Sequence, residues 1–134
     1  MNSEAASFLE RAHQSLEEAK IMFQTGATIL AAGVGRASYY AAYHAAEAFI
    51  ITKNGDSKKN HDKVRSEFGR LVKDDLRVDR EIKKFLNTSY RYKNIGDYGE
   101  GGKRTDITLA IAEEAIKTAT RFVALIEQMI ATDA

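Results

Sequence analysis

The sequence predicts an all-α protein, an up-and-down bundle of four or five helices. Three observations carry that expectation. There is no proline in 134 residues. Apolar residues recur at three- and four-residue spacing over most of the chain, with no competing strand alternation. Glycine, asparagine and aspartate cluster where those periodic runs stop.

The first helix is expected from about Ser3, read as its N-cap, to Thr25. Phe8, Ala12, Leu16, Ala19 and Phe23 form its apolar stripe, and Gly26 breaks it. The second runs from about Thr28 to Lys53 and stops at Asn54-Gly55. It is apolar nearly all round, which marks the most buried helix of a bundle. Gly33 and Gly35 either weaken its first turns or let a neighbour approach closely. After a polar loop, Asp56 to Asn60, the third helix spans about His61 to Lys73 with Asn60 as a candidate N-cap. Val64, Phe68, Leu71 and Val72 make its stripe. The fourth starts near Asp79, buries Ile82, Phe85, Leu86 and Tyr90, and gives way to a glycine-rich stretch in which Gly96 is read as the stop. The fifth begins at Thr105 or Asp106 and reaches about Ala131, with Ile107, Ile111, Ala115, Phe122, Val123, Ile126 and Ile130 inward. Short connections favour antiparallel neighbours. The length suits a single domain over residues 1–134.

Composition narrows the function classes. There is no cysteine, so no disulfide framework, thiolate nucleophile or thiolate metal site. Residues Met1 to Phe8 carry neither a basic n-region nor an apolar h-region, so no signal peptide is expected. The longest charge-poor run is interrupted by Arg36, His44 and Glu47, against a membrane span. A soluble, cytoplasmic protein is the expectation. The net charge of +1 is unevenly spread: residues 53–93 carry thirteen Lys/Arg against seven Asp/Glu, between two acidic flanks. Such a middle suits an anion-facing surface or a solvated lysine-rich face. Three histidines on three helices make no metal signature, and no metal or cofactor is expected.

The second helix carries an unusual stripe, "RASYYAAYHAAEA" at residues 36–48. At about 100° per residue, Arg36, Tyr40, Tyr43 and Glu47 share a narrow arc, with His44 just beside it. Arg36 and Tyr40, Tyr40 and His44, and Tyr43 and Glu47 are i,i+4 pairs. This ladder fits a satisfied polar network, a tyrosine-rich dimer face or a ligand cleft.

Three stretches taken together, "RASYYAAYHAAEAFI", "NHDKVRSEFGRLVK" and "YRYKNIGDYG", resemble the HEPN (higher eukaryotes and prokaryotes nucleotide-binding) family, in its small prokaryotic UPF0332-type branch. There the central helix reads R-x-x-Y-Y-A-x-x-H-A-A, the third opens with histidine, and the fourth ends in R-x-x-x-D-Y-like text. The resemblance implies a helical bundle that forms two-fold dimers and pairs with a small nucleotidyltransferase as toxin and antitoxin. It also implies RNA or nucleotide binding, and in many members metal-independent ribonuclease activity from an arginine followed four to six residues later by histidine. Carried over, Arg91 takes the arginine position. Asp97 stands where histidine is expected, and Tyr98 is where a partner's modification would fall. His61 matches the histidine of the third helix. Candidate catalytic residues are thus Arg91, Asp97 and Tyr98, and Arg36, Tyr40, Tyr43, His44 and His61 are candidates for a ligand or dimer cleft. The alternative is a non-catalytic nucleotide- or protein-binding accessory subunit, or a purely structural helical dimer.

Overall fold

The computed structural model describes residues 2–56 and 60–133. It contains five α-helices and, among the described residues, no strand: α1 (Ser3–Gln24), α2 (Ala31–Asn54), α3 (His61–Val72), α4 (Arg80–Tyr98) and α5 (Leu109–Asp133). Single 3₁₀ turns, Thr28–Leu30 and Arg104–Asp106, precede α2 and α5. No helix of the described residues is long and apolar enough to cross a membrane.

Local chemistry sets most of the helix ends. The α1 cap is Asn2 rather than Ser3; its side chain accepts from the backbone N–H groups of Glu4 (2.7 Å) and Ala5 (3.3 Å). Asn60 accepts from Asp62 and Lys63 N–H, as its position suggests. The rest of the expected 56–60 loop, residues 57–59, lies outside the described residues. Asp79 caps α4 through Ile82 N–H at 3.0 Å and also pairs with Arg121 of α5. Asp79→Ala is expected to cost ~0.5–2 kcal/mol through the lost cap, read as a lower urea midpoint at unchanged slope. Gly55, at φ 87°, closes α2 in the left-handed conformation, with its N–H bonded to Ile51 O.

Two expected boundaries shift. The α4 helix runs through Gly96 to Tyr98 and ends at Gly99, φ 66°. Gly96 is a close-approach glycine, since a Cβ there would lie 3.1 Å from Arg36 Cδ. The fifth helix starts later than Thr105, because Arg104–Asp106 form a 3₁₀ turn and Thr108 Oγ1 takes up the Ile111 N–H.

The second helix is the hub, with 17 of its 24 residues buried and every other helix packed on it. Contacts give the directions. Met22 meets Gly33, and the Phe8 ring stacks on His44, so α1 is antiparallel to α2. Tyr90 meets Tyr39 and Asp97 meets Arg36, so α4 is antiparallel too. Lys53 pairs with Asp133 across the C-terminal ends of α2 and α5, which run in the same sense. The short α3 departs from strict alternation. It starts beside Tyr43 and ends beside Phe49 and Asn54, so it also runs with α2. That placement carries the first residue of α3 back to the polar stripe.

The main core joins all five helices around Phe49, Phe68, Phe85 and Phe122, and a smaller cluster under Ile95 and Ile107 seals the start of α2. Ala5 and Leu9 belong to the main core, while the expected Phe8 and Phe23 are only half-buried.

Candidate functional site: a cation–aromatic cluster between α2, α3 and α4

The polar stripe of α2 faces the C-terminal half of α4. Arg36 Nε donates to Asp97 Oδ1 at 2.5 Å, and its guanidinium lies 4.8 Å from the centre of the Tyr40 ring. Lys93 sits one turn before Asp97 and is only 6 % exposed, rare for lysine. Its Nζ is 3.8 Å from Asp97 Oδ2, 4.6 Å from the Tyr98 ring centre and 5.7 Å from that of Tyr90. A carboxylate shared by two cations and two aromatic faces therefore offset the cost of burying this ammonium.

Deeper in the cluster, Tyr39 is fully buried and its hydroxyl hydrogen-bonds His61 Nδ1 at 2.7 Å. The imidazole stacks on Tyr43, 4.3 Å between centres and 25° between planes. The Arg65 guanidinium lies 3.7 Å from the Tyr90 ring centre. Its Nε donates to Asn87 and its Nη2 to Asp62, whereas Nη1 is buried with no hydrogen-bond partner among the described residues. On the α1 side, His44 Nδ1 and the buried Glu47 Oε1 are 2.9 Å apart.

Burial pushes the Tyr39 and Tyr43 phenols well up from their ordinary value, and Tyr40 shifts the same way. All three stay protonated near neutral pH. His61 moves down, first through burial and then through the positive charges of Lys93 and Arg65. Protonation of His61 therefore opposes folding. Its contribution to stability is complete above its ordinary value of 6.5 and is lost as pH falls from there through the lowered folded value. Denaturant midpoints at pH 5 and pH 8 are expected to differ less in His61→Gln than in the natural sequence.

The predicted residues fall into two groups. Arg36, Tyr40, Tyr43, His61, Asp97 and Tyr98 belong to one cluster of contacts, with His44 at its α1 edge. Arg91 does not join them. Arg91 and Asp97 are six residues apart on one helix, so their side chains leave it about 120° apart and ~9 Å apart along its axis. Arg91 instead lines an open groove of about 460 Å³ with Asn87, Tyr90, Asn94, Glu100 and Gly101, and makes no ion pair among the described residues. Sequence reasoning missed Lys93 and Arg65. A signal for Lys93 was present, since it stands four residues before Asp97, the spacing of a helical ion pair. Among the described residues no group of three or more histidine, cysteine or acidic side chains is placed to hold a metal.

Fold and site together define a small helical-bundle domain with a cation–aromatic cluster where its second, third and fourth helices meet. The chain belongs to the HEPN domain family, whose model matches residues 5–129. It is similar to a UPF0332 protein of Thermotoga maritima, 32% identical over 90 residues that make up 67% of this chain and 65% of the relative. It is also similar to a Methanocaldococcus jannaschii protein named "Putative toxin", 31% identical over 98 residues, 73% of this chain and 70% of that one. The chain thus spans just under two thirds of the Thermotoga relative's length.

Proposed function

We propose that this chain is an RNA-binding HEPN module that cleaves RNA without metal as a homodimer, and that it is the toxin component of a cytoplasmic pair with a nucleotidyltransferase. The observation that carries the reading is the gathering of Arg36, Lys93, Tyr40 and Tyr98 in one cluster around Asp97, with Arg91 in a groove on another face of α4. Aromatic faces and cations in one groove are what single-stranded RNA binding uses. Cleavage needs a base for the ribose 2′-hydroxyl and a cation on the charge that develops at phosphorus. Arg91, which makes no ion pair among the described residues, suits the second role. For both to act on one RNA, a two-fold dimer has to bring Arg91 of one copy to this cluster in the other. The name of the Methanocaldococcus relative supports the toxin assignment. Tyr98, 65 % exposed beside Lys93, is the acceptor we assign to the partner's modification.

The test is cleavage of a long single-stranded RNA by purified protein in excess EDTA, beside Arg91→Ala. Cleavage by the wild type, falling ~100-fold or more in the variant, is the expected result. A folded wild-type dimer that leaves the RNA intact would remove the nuclease assignment. A second reading, a non-catalytic accessory subunit, is favoured by one observation: Asp97, at the expected histidine position, already has both oxygens engaged by Arg36 and Lys93. A thermal upshift with ATP but none with RNA would select it.

A further inference from the structure

The segment that should carry the imidazole of a ribonuclease, residues 91–98, has none. The fold nevertheless brings one to the same cluster from another helix. We propose that His61, the first residue of α3, is the general base of this site, and that Tyr39 and Tyr43 position it; the proposal rests on the ribonuclease reading above.

Ring geometry carries the assignment. The Nδ1 atom is bonded to the hydroxyl of the fully buried Tyr39, which fixes the inward edge of the imidazole. The Tyr43 ring, stacked at 4.3 Å, fixes its plane. The two ring nitrogens diverge, so Nε2 lies on the ring edge away from Tyr39; the residue is half-buried, and Nε2 makes no hydrogen bond among the described residues. An imidazole held on one edge and one face, with its second nitrogen unengaged among the described residues, has the form of a positioned base. When Nδ1–H donates to the Tyr39 oxygen, Nε2 presents its lone pair.

The charged and titratable groups around it come from three elements: Tyr39, Tyr40 and Tyr43 on α2, Asp62 and Arg65 on α3, and Tyr90, Lys93 and Asp97 on α4. Burial and the two cations outweigh the two carboxylates and keep the ring neutral near pH 7. The same cations suit a phosphodiester. The step balances as follows. Nε2 takes the 2′-hydroxyl proton, O2′ bonds to phosphorus and the P–O5′ bond breaks. The departing O5′ takes a proton from water, and the imidazolium returns its own to solvent. The products are a 2′,3′-cyclic phosphate and a 5′-hydroxyl.

The experiment compares the wild type, His61→Gln and Tyr39→Phe for RNA cleavage in EDTA between pH 5 and 8, with RNA affinity and circular dichroism measured in parallel. His61→Gln is expected to lose ~100-fold or more in rate with affinity within about threefold. It should also lose the acidic limb that the wild type shows below neutral pH. Tyr39→Phe keeps the stacking and loses the hydroxyl, and should move that limb rather than abolish it. In a second arm needing no variant, the ¹⁵N signals of the His61 ring are followed as a 2′-O-methyl oligoribonucleotide is added, and they should shift. Full cleavage by folded His61→Gln, or bound oligonucleotide that leaves the His61 signals in place, would overturn the proposal and leave the ribonuclease reading standing. RNA binding without cleavage by the wild type overturns the base assignment and leaves a binding module. Neither binding nor cleavage overturns both.

Discussion

Phe122→Ala is expected to destabilise the protein by ~3–5 kcal/mol, a large share of the ~5–15 kcal/mol that holds a domain of this size folded. Phe122 is fully buried on α5. Its ring centre lies 5.1 Å from that of Phe68 on α3 and 6.2 Å from that of Phe85 on α4, and Phe68 in turn meets Phe49 on α2. Removing the ring takes away apolar burial and leaves a cavity where four helices meet, which the surrounding structure fills only in part. The loss should not be felt equally. The long α1–α2 interface keeps its own contacts, whereas the twelve-residue α3 is held mainly by Phe68, Val64 and Val72. Urea unfolding gives the total cost. Amide exchange should show α3 opening at lower free energy than α2, and with it His61 leaving the cluster. Equal loss of protection in α2 and α3 would mean that the bundle opens as one unit.

That dependence of the site on α3 also explains which parts of it the sequence discloses. Ends such as Asn60, Asp79 and Gly55 are legible because their chemistry is local: a side chain two or three residues from the N–H groups it caps, or a glycine able to take positive φ. Gly96 is misread for the same reason. Glycine signals termination when only neighbours in sequence are considered, and the close approach of Arg36 is a fact of tertiary packing. Once α4 is known to continue to Tyr98, its own geometry separates Arg91 from Asp97, and the aligned spacing Lys93-x-x-x-Asp97 emerges instead. A buried lysine is improbable from composition alone, so Lys93 reads as a solvated charge until Tyr90, Tyr98 and Asp97 are seen around it. The Tyr39–His61 bond spans 22 residues and depends on α3 running in the same sense as α2, an orientation that no periodicity encodes. The fold class survives these misreadings because it rests on many apolar positions at once. A site resting on two or three side chains has no such redundancy.

A glycine substitution at the α2–α4 contact, set beside a control of opposite expected sign in α3, probes how closely α2 and α4 must approach for this site to exist. Gly69 lies inside α3, and a Cβ there meets nothing within 4 Å. Gly69→Ala should stabilise by ~0.5–1 kcal/mol, because alanine loses less backbone freedom in a helix. Gly35 sits on α2 where a Cβ would stand 3.1 Å from both Cβ and Cγ of Tyr92. The Tyr92 Cβ is fixed to the backbone of α4 and cannot swing aside. Gly35→Val therefore pushes α2 from α4 and is expected to cost ~1–3 kcal/mol. The displacement falls one residue before Arg36 and one residue before Lys93 on the two facing helices, so it opens the Arg36–Asp97 and Lys93–Asp97 contacts as well. Urea midpoints should rise for Gly69→Ala and fall for Gly35→Val. At a temperature where both variants are fully folded, RNA affinity should fall only in Gly35→Val. Unchanged affinity there would mean that the cluster tolerates a wider helix spacing, and that RNA is held by the Arg91 groove rather than by the cations between α2 and α4.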